Sequence, residues 1–423
     1  MFLPTPWSDA LRLFTRNLAL AAGTASLLLL AACGRGSDAT GSAGTDPGIT
    51  DTTVKIGTSQ PLSGPLAAIG EATVAAAQAY FAHVNAQGGV KMADGKTRKI
   101  EYLYYDDAYD PAKSVQNYQR LVHQDEVFAV FHPLGTGPNQ AIMARANADK
   151  VPHLFTHAGG AQFSDRAKNP WTIGWGPTPD SEGEAYGKYL AAQNKPITVA
   201  VLRQNDDLGQ GYLNGLEQGI AGSQVEIVKI ATYGRTDSTV DSQISSLAGT
   251  KADVLFMAVV LPPLMISGIK HAGTLGWSPD IYMANNTSDI TGVLKVGKLT
   301  DLRTLYSASF IKAADDPQWK DDPGVAQYLD RIKSFPKALG NLVNGEIAYG
   351  EAQTMVAALQ QTKAPTRQAL MDAVHSLKGD SISDVLLPGV TLDSTDPTAP
   401  PVHGHVVQHF DGESWVAREG GDE

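Results

Sequence analysis

EVFAVFHPLGTGPNQAIMARANADKVPHLFTHAGG, residues 126–160, decides the fold. It opens on a continuous apolar run, 127–131, of the length and type of a buried strand. A turn follows, His132-Pro133-Leu134-Gly135-Thr136-Gly137, and then a helix with Pro138 suited to its first position and Ile142, Met143 and Ala146 near helical spacing. A second strand, 151–155, runs into another turn of small residues, Thr156-His157-Ala158-Gly159-Gly160. Strand–helix–strand implies parallel strands, which place both turns on one edge of the sheet. That edge, at the carboxyl ends of the strands, is where open α/β sheets bind ligands. The Gly-Thr-Gly turn also ends at a helix N-terminus, whose free amides suit a carboxylate or another anion. Gly-rich strand-to-helix turns are common and most hold nothing, and Gln140 stands where a dinucleotide fingerprint needs its last glycine.

The chain has 423 residues, enough for two ordinary domains. Its net charge of −11 without a basic cluster argues against nucleic acid as a partner. Arg12 and Arg16 precede an apolar segment, 18–32, too short for a comfortable membrane span. It ends Leu30-Ala31-Ala32-Cys33, which resembles a bacterial lipobox. Cys33 is the one cysteine, so neither a disulfide within the chain nor a cysteine metal cluster competes for it. Residues 1–32 are expected to be a lipoprotein signal peptide, and Cys33 the lipidated N-terminus. Residues 33–52 are Gly, Ser, Thr and Asp with little apolar content, a flexible tether with a mean reach of roughly 24 Å. The expected setting is extracytoplasmic, in the periplasm or on the outer face of the membrane, with the body held by a lipid anchor.

The rest reads as two α/β runs. In the first, strands at 54–59 and 100–105 alternate with a helix burying Val74, Ala77, Phe81 and Val84, and with another capped by Asp110 and opened by Pro111. Capping accounts for Asp110, so Asp106-Asp107-Ala108-Tyr109-Asp110 is not read as a metal loop. An extended segment, 171–175, leads to Gly176-Pro177-Thr178-Pro179, a stiff crossing between domains. The rhythm restarts with strands at 197–202, 225–231, 254–260 and 281–284 and helices at 209–221, 239–247 and 262–275. Residues 304–311 read as a crossing strand, followed by helices at 324–333, 341–361 and 367–377 and strands at 389–392, 402–410 and 414–417. The pattern predicts two doubly wound, Rossmann-like lobes.

Other chemistry is weak. His403, His405 and His409 are read as one strand face at period two, where scattered histidines are more common than a metal site. No nucleophile elbow, zincin helix or Walker loop is present, and no catalytic residue, cofactor or metal is expected. The glycines of 209–215 miss the dinucleotide spacing by one residue. His153 is read as an interior residue and His157 as a turn residue.

IGTSQPLSGPLAAIGE (56–71), DDAYDP (106–111), HPLGTGPNQA (132–141), HLFTHAGGA (153–161), VLRQNDDLGQGYLNGL (201–216), DPQWKDDPG (316–324) and LLPGV (386–390) occur in the order in which the chain resembles a known family. That family is the solute-binding proteins of ATP-driven importers, of the branched-chain amino-acid type. The resemblance covers roughly residues 53–417. It implies the type I periplasmic-binding-protein fold, two lobes joined by a three-crossing hinge and closing on a small ligand. Lobe 1 would be 53–175 with 310–386 and lobe 2 179–305 with 390–417, with crossings near 175–179, 305–310 and 386–392. Partners would be a small-molecule ligand, the permease and ATPase subunits of an ABC transporter and, through the anchor, the membrane. The body would be a monomer and not an enzyme. A ligand-sensing receptor of the same fold is the alternative.

By the same resemblance, Thr136 and Gly137 of the first turn and His157 and Gly159 of the second would hold a ligand carboxylate. Amino-acid binders of this kind place an acid in the second lobe for the α-ammonium; here Asn286 falls there, with Asp206 or Asp207 as substitutes. Where such binders carry aromatics this chain has Ile69, Leu208 and Leu261, so an aliphatic pocket is expected, with Trp175 as an aromatic wall. These departures point to a small carboxylate, aromatic or aliphatic, ahead of a zwitterion.

Overall fold

A computed structural model of the chain describes residues 44–418. The leader, Cys33 and the first part of the tether lie outside the described residues. The first sheet contains β1 (Thr53–Gln60), β2 (Val90–Lys91), β3 (Thr97–Asp106), β4 (Ala129–Phe131), β5 (His153–Thr156) and β6 (Thr172–Gly174), in the order β2-β3-β1-β4-β5-β6. Its pairs are parallel except β2–β3. Helices α1 (Ala67–Ala86), α2 (Pro111–His123) and α3 (Thr136–Asp149) make the crossovers. The sequence order folds outward from β1 on both sides, so the strand order reverses between β1 and β4, the place where such sheets open a crevice.

The second sheet repeats this plan. It holds β7 (Ile197–Gln204), β8 (Val225–Tyr233), β9 (Val254–Ala258), β10 (Asp280–Met283) and β11 (Leu305–Ser309), with α4 (Pro179–Ala191), α5 (Asp207–Ile220), α6 (Asp241–Ala248) and α7 (Pro262–Thr274) around them. Alternation along β7 explains the two layers. Val199 and Val201 pack under α4 and α5, while Ala200 and Leu202 pack under α6 and α7. The chain then returns to the first lobe as α8 (Pro323–Ile332), α9 (Leu342–Gln361) and α10 (Arg367–Val374). α9 packs along α1 and is buried on nearly every face. A small ribbon follows, β12 (Thr391–Leu392) with β13 (Val402–His403), and then β14 (Val406–Phe410) and β15 (Trp415–Ala417) extend the second sheet antiparallel beyond β11. Among the described residues no helix is long and apolar enough to cross a membrane.

Several expectations shift. The strand expected at 127–131 pairs only from Ala129, and that at 151–155 begins at His153. α3 starts at Thr136, so Pro138 is its third residue and not its first. α4 occupies 179–191, where only a stiff crossing was expected at its start. The third crossing moves: Val390, Leu392 and Val402 pack in the first lobe's core, so the chain changes lobes at 403–405 and not at 386–392. Gly404, at φ 99°, breaks the strand expected at 402–410, so His403, His405 and His409 do not share one strand. His403 Nε2 bonds the Asp393 carbonyl (2.9 Å) and His409 Nε2 the Arg303 carbonyl (2.7 Å), two separate places.

α4 and α5 pack backbone against backbone. A Cβ on Gly215 would lie 1.8 Å from the Asp180 carbonyl oxygen, and one on Gly219 2.4 Å from that of Glu184. Backbone meets backbone here, which gives the glycines of 209–219 a packing role in place of a phosphate-binding one.

Candidate functional site

A cavity of about 120 Å³ lies between the carboxyl ends of the two sheets. That is roughly ten times the ~10–15 Å³ that one water needs on the same measure, room for a small metabolite. Leu66, Ile69 and Leu134 give it an apolar wall from the first lobe, Leu208 and Val260 from the second. Phe310, on the second crossing, closes one end.

The two turns 132–137 and 156–160 are locked together. Leu134 and His157 continue the parallel β4–β5 pairing as an isolated bridge. The Gly135 amide donates to the His157 carbonyl (2.9 Å), and the His157 amide to that of Pro133 (3.1 Å). Thr136 Oγ1 donates to the Gly159 carbonyl at 2.9 Å. Asn139 Nδ2 holds the Pro133 and Gly135 carbonyls, and its Oδ1 accepts from His153 Nε2 at 2.7 Å. His153 is buried beneath the turns, and burial holds its imidazole down to about 3, so it is a neutral brace. His132 (φ 41°) and Phe155 (φ 54°) both sit in the left-handed region, an uncommon state for such side chains that clusters at working sites.

Under the turns, α9 brings Glu351 against two histidines. Nδ1 of His132 and Nδ1 of His157 each lie 3.3 Å from Glu351 Oε2. His157 Nε2 meets Asn344 Oδ1 at 3.1 Å, and His132 Nε2 meets the Tyr102 hydroxyl at 2.5 Å. Burial alone would lower His157, but the charge of Glu351 and the bonds to Glu351 and Asn344 outweigh it and leave its pKa raised. For His132 burial wins over the same carboxylate, and its pKa is lowered.

On the opposite wall, Glu182 of α4 organises the second lobe's contribution. Its Oε1 accepts from the Tyr282 hydroxyl (2.5 Å) and the Asn285 amide (2.7 Å), its Oε2 from the Tyr212 hydroxyl (2.8 Å). Burial pushes its pKa up to about 7 against the pull of those three bonds. Around the cavity Thr156 Oγ1, Asn285 Nδ2 and Asn286 Oδ1 are buried and have no hydrogen-bond partner among the described residues. Each such atom costs about 1–3 kcal/mol until something bonds it.

Of the residues anticipated from sequence, Thr136, His157, Gly159 and Asn286 line the cavity. Ile69 and Leu208 line it too, while Val260 takes the place expected for Leu261. Three others lie off it. Gly137 faces Arg235, whose Nη1 would be 2.8 Å from a Cβ there. Trp175 is fully buried, donating Nε1 to Thr354 Oγ1 (2.8 Å), and stands edge-on behind Phe310, which lines the cavity together with Tyr109 and Tyr212. Asp207 is exposed on the first turn of α5, and it is Asp206 that caps the helix, accepting from the Gly209 amide at 3.2 Å. Sequence reasoning missed His132, Glu182, Asn285 and Glu351. A signal existed for Glu351: a carboxylate within an apolar stretch of α9, among Ala348, Ala352 and Met355, has to be placed for a reason.

A sequence profile described as "Periplasmic binding protein" matches residues 53–411. A leucine-specific-binding protein of Salmonella typhimurium is 21% identical over 380 residues, 86% of this chain and 93% of that one. A leucine-, isoleucine-, valine-, threonine-, and alanine-binding protein of Pseudomonas aeruginosa is 26% identical over 225 residues, 52% of this chain and 58% of that protein. Among solved structures, a fatty acid ABC transporter substrate-binding protein from Thermomonospora curvata superposes with a TM-score of 0.73 at 24% identity, covering 89% of this chain and 96% of that one. An ABC transporter solute-binding protein from R. palustris, in complex with benzoate, gives 0.72 at 16% identity, covering 88% and 96%. These likenesses in structure establish the fold.

Proposed function

The chain belongs to the periplasmic binding protein family, and from that premise we propose that it is the lipid-anchored substrate-binding component of an ABC importer, capturing a small carboxylate-bearing solute by closure of its two lobes. The family places it outside the cytoplasm, as a solute-binding protein of the Leu/Ile/Val-binding type. The observation that carries the ligand class is the pair of unspent donors, Thr156 Oγ1 and Asn285 Nδ2, one from each lobe, opening on a cavity walled by aliphatic and aromatic side chains. Charge-assisted bonds to a carboxylate are worth roughly 1.5–3 kcal/mol each, and three or four suffice for micromolar binding. With Thr136, His157 and Gly159 bracing the first-lobe rim and Asn286 on the second, the grip is complete. Glu182 spends both oxygens on its own lobe, which leaves little for an ammonium and favours an acid over an amino acid. The solved relatives named for fatty acids and found with benzoate support the same class.

Titration calorimetry of the body with short fatty acids, aromatic acids and branched-chain amino acids tests this. Acids should bind at micromolar affinity and leucine far more weakly. Leucine binding tighter than every acid, or silence across the panel, overturns it. Cys33→Ala should release the protein from the membrane fraction; unchanged membrane retention would remove the anchor from the proposal. Genes for permease and ATPase beside this one would favour import, and a neighbouring kinase gene a sensing receptor.

A further inference from the structure

Two imidazoles and one carboxylate converge on a single point under the cavity. The three ligand atoms on His132, His157 and Glu351 all lie within 4.8 Å of one another. The separations from Glu351 Oε2 to each Nδ1, 3.3 Å, match the edge of a tetrahedron around an ion. Ligands at about 2.0–2.1 Å from such a centre stand about 3.3–3.4 Å apart.

The far side of each ring is already tied. Asn344 Nδ2 donates to the Asn286 carbonyl (3.0 Å) and to Asn341 Oδ1 (2.8 Å). That fixes the amide so that Oδ1 faces His157 Nε2, which therefore carries the hydrogen. His132 Nε2 is held by Tyr102. Metal-binding histidines are oriented in this way, through the nitrogen that does not touch the ion.

The near side is unsatisfied. His132 is 0% exposed and Glu351 1%, yet among the described residues His132 Nδ1 and Glu351 Oε1 have no well-formed hydrogen bond. A protonated His157 with an Nδ1–H tautomer of His132 would serve both contacts to Glu351 Oε2 and still leave Oε1 bare. A cation between them serves all three groups. The three come from rigid elements: the end of β4, the turn after β5 and the middle of α9.

We propose that His132, His157 and Glu351 bind a divalent first-row transition-metal ion, with zinc the best fit to two nitrogens and one carboxylate, and with an open position turned to the cavity. His157 and Glu351 line the cavity, so that open position lies where a guest acid would reach it. This last point rests on the carboxylate reading above; the ion site itself does not.

The test uses the full mature chain, stripped with a chelator and titrated with zinc chloride alone. One ion per chain should bind, and cobalt(II) in its place should give the intense visible bands of a tetrahedral site. His132→Gln and Glu351→Gln should each lower zinc affinity at least about tenfold, while His409→Gln, on the outer strand, leaves it unchanged. No stoichiometric binding by the wild type, or the same affinity in both ligand variants, overturns the site. If one variant fails to fold, the other together with the wild-type cobalt spectrum decides. Benzoate is then titrated into stripped and zinc-loaded protein. Tighter binding to the loaded form supports coordination of the guest, and equal binding overturns that part alone. Because the metal titration contains no acid, a failed ligand panel and a failed metal site are separate results.

Discussion

Asp289 Oδ2 accepts the backbone amide of Leu342 at 2.6 Å and that of Val343 at 3.2 Å. A carboxylate on the second lobe thus caps the first turn of α9 on the first. Its other oxygen accepts from Gly292 in its own loop. The contact ties the two lobes to each other.

Asp289→Asn replaces one of those two acceptors with a donor. A lost helix cap costs about 1 kcal/mol, a factor of about five in the balance between closed and open forms. Guest affinity should fall by about that factor. The unliganded protein should show a larger radius of gyration by small-angle scattering than the wild type. Equal radii and equal affinities would mean that the contact does not bias closure.

Thr156→Val removes a buried hydroxyl that has no hydrogen-bond partner among the described residues. Stability of the empty protein should hold or rise by up to about 1 kcal/mol in urea unfolding, because the buried polar group is gone. Guest affinity should fall about tenfold, the worth of one charge-assisted bond. A loss of both stability and affinity would place Thr156 in the scaffold and not at the guest.

Glu182 should give stability a pH dependence of definite sign. Its pKa is about 7 in the folded protein against 4.5 for a free glutamate. The folded state therefore keeps a proton that the unfolded chain releases. Its contribution is most favourable below about pH 4.5 and is lost as pH rises towards 7, by on the order of 3 kcal/mol in total. Glu182→Gln should flatten that slope in melting curves taken between pH 5 and 8. Parallel slopes for the two proteins would contradict the assignment.

Gly215→Ala places a methyl against the Asp180 carbonyl, 1.8 Å away before any movement. Overpacking of this kind costs about 1–3 kcal/mol, and more where backbone must give way. Urea unfolding should register that loss. A neutral result would mean that α4 and α5 separate easily.

The stretch 126–160 was legible because its signals are local: an apolar run, a glycine turn, a helical spacing and a second run. Local signals also gave the caps at Asp110 and the rhythm of the second lobe. α4 escaped because its buried face is made partly of Gly183 and Gly187, which carry no hydrophobic signal and matter only against α5. The β2–β3 hairpin escaped because β2 has two residues. The site was half legible for the same reason. Thr136, His157 and Gly159 sit on turns that announce themselves. Glu182 and Glu351 sit inside helices, and the His157–Glu351 contact joins residues 194 positions apart. Trp175, expected as an aromatic wall, is held inside by its indole N–H bond to Thr354, and Phe310 lines the cavity in front of it.

Phe310 stands where the three crossings come together. Trp175 of the first lies edge-on to it, with ring centroids 6.1 Å apart, and His405 of the third meets it at the same separation. The Trp175 carbonyl also accepts the Val402 amide at 2.9 Å. A molecule seated against that phenyl ring leans on the pivot itself. On the function proposed above, the guest's bulk would set the angle at which the lobes come to rest, and the shape presented to a transporter would report which cargo is aboard.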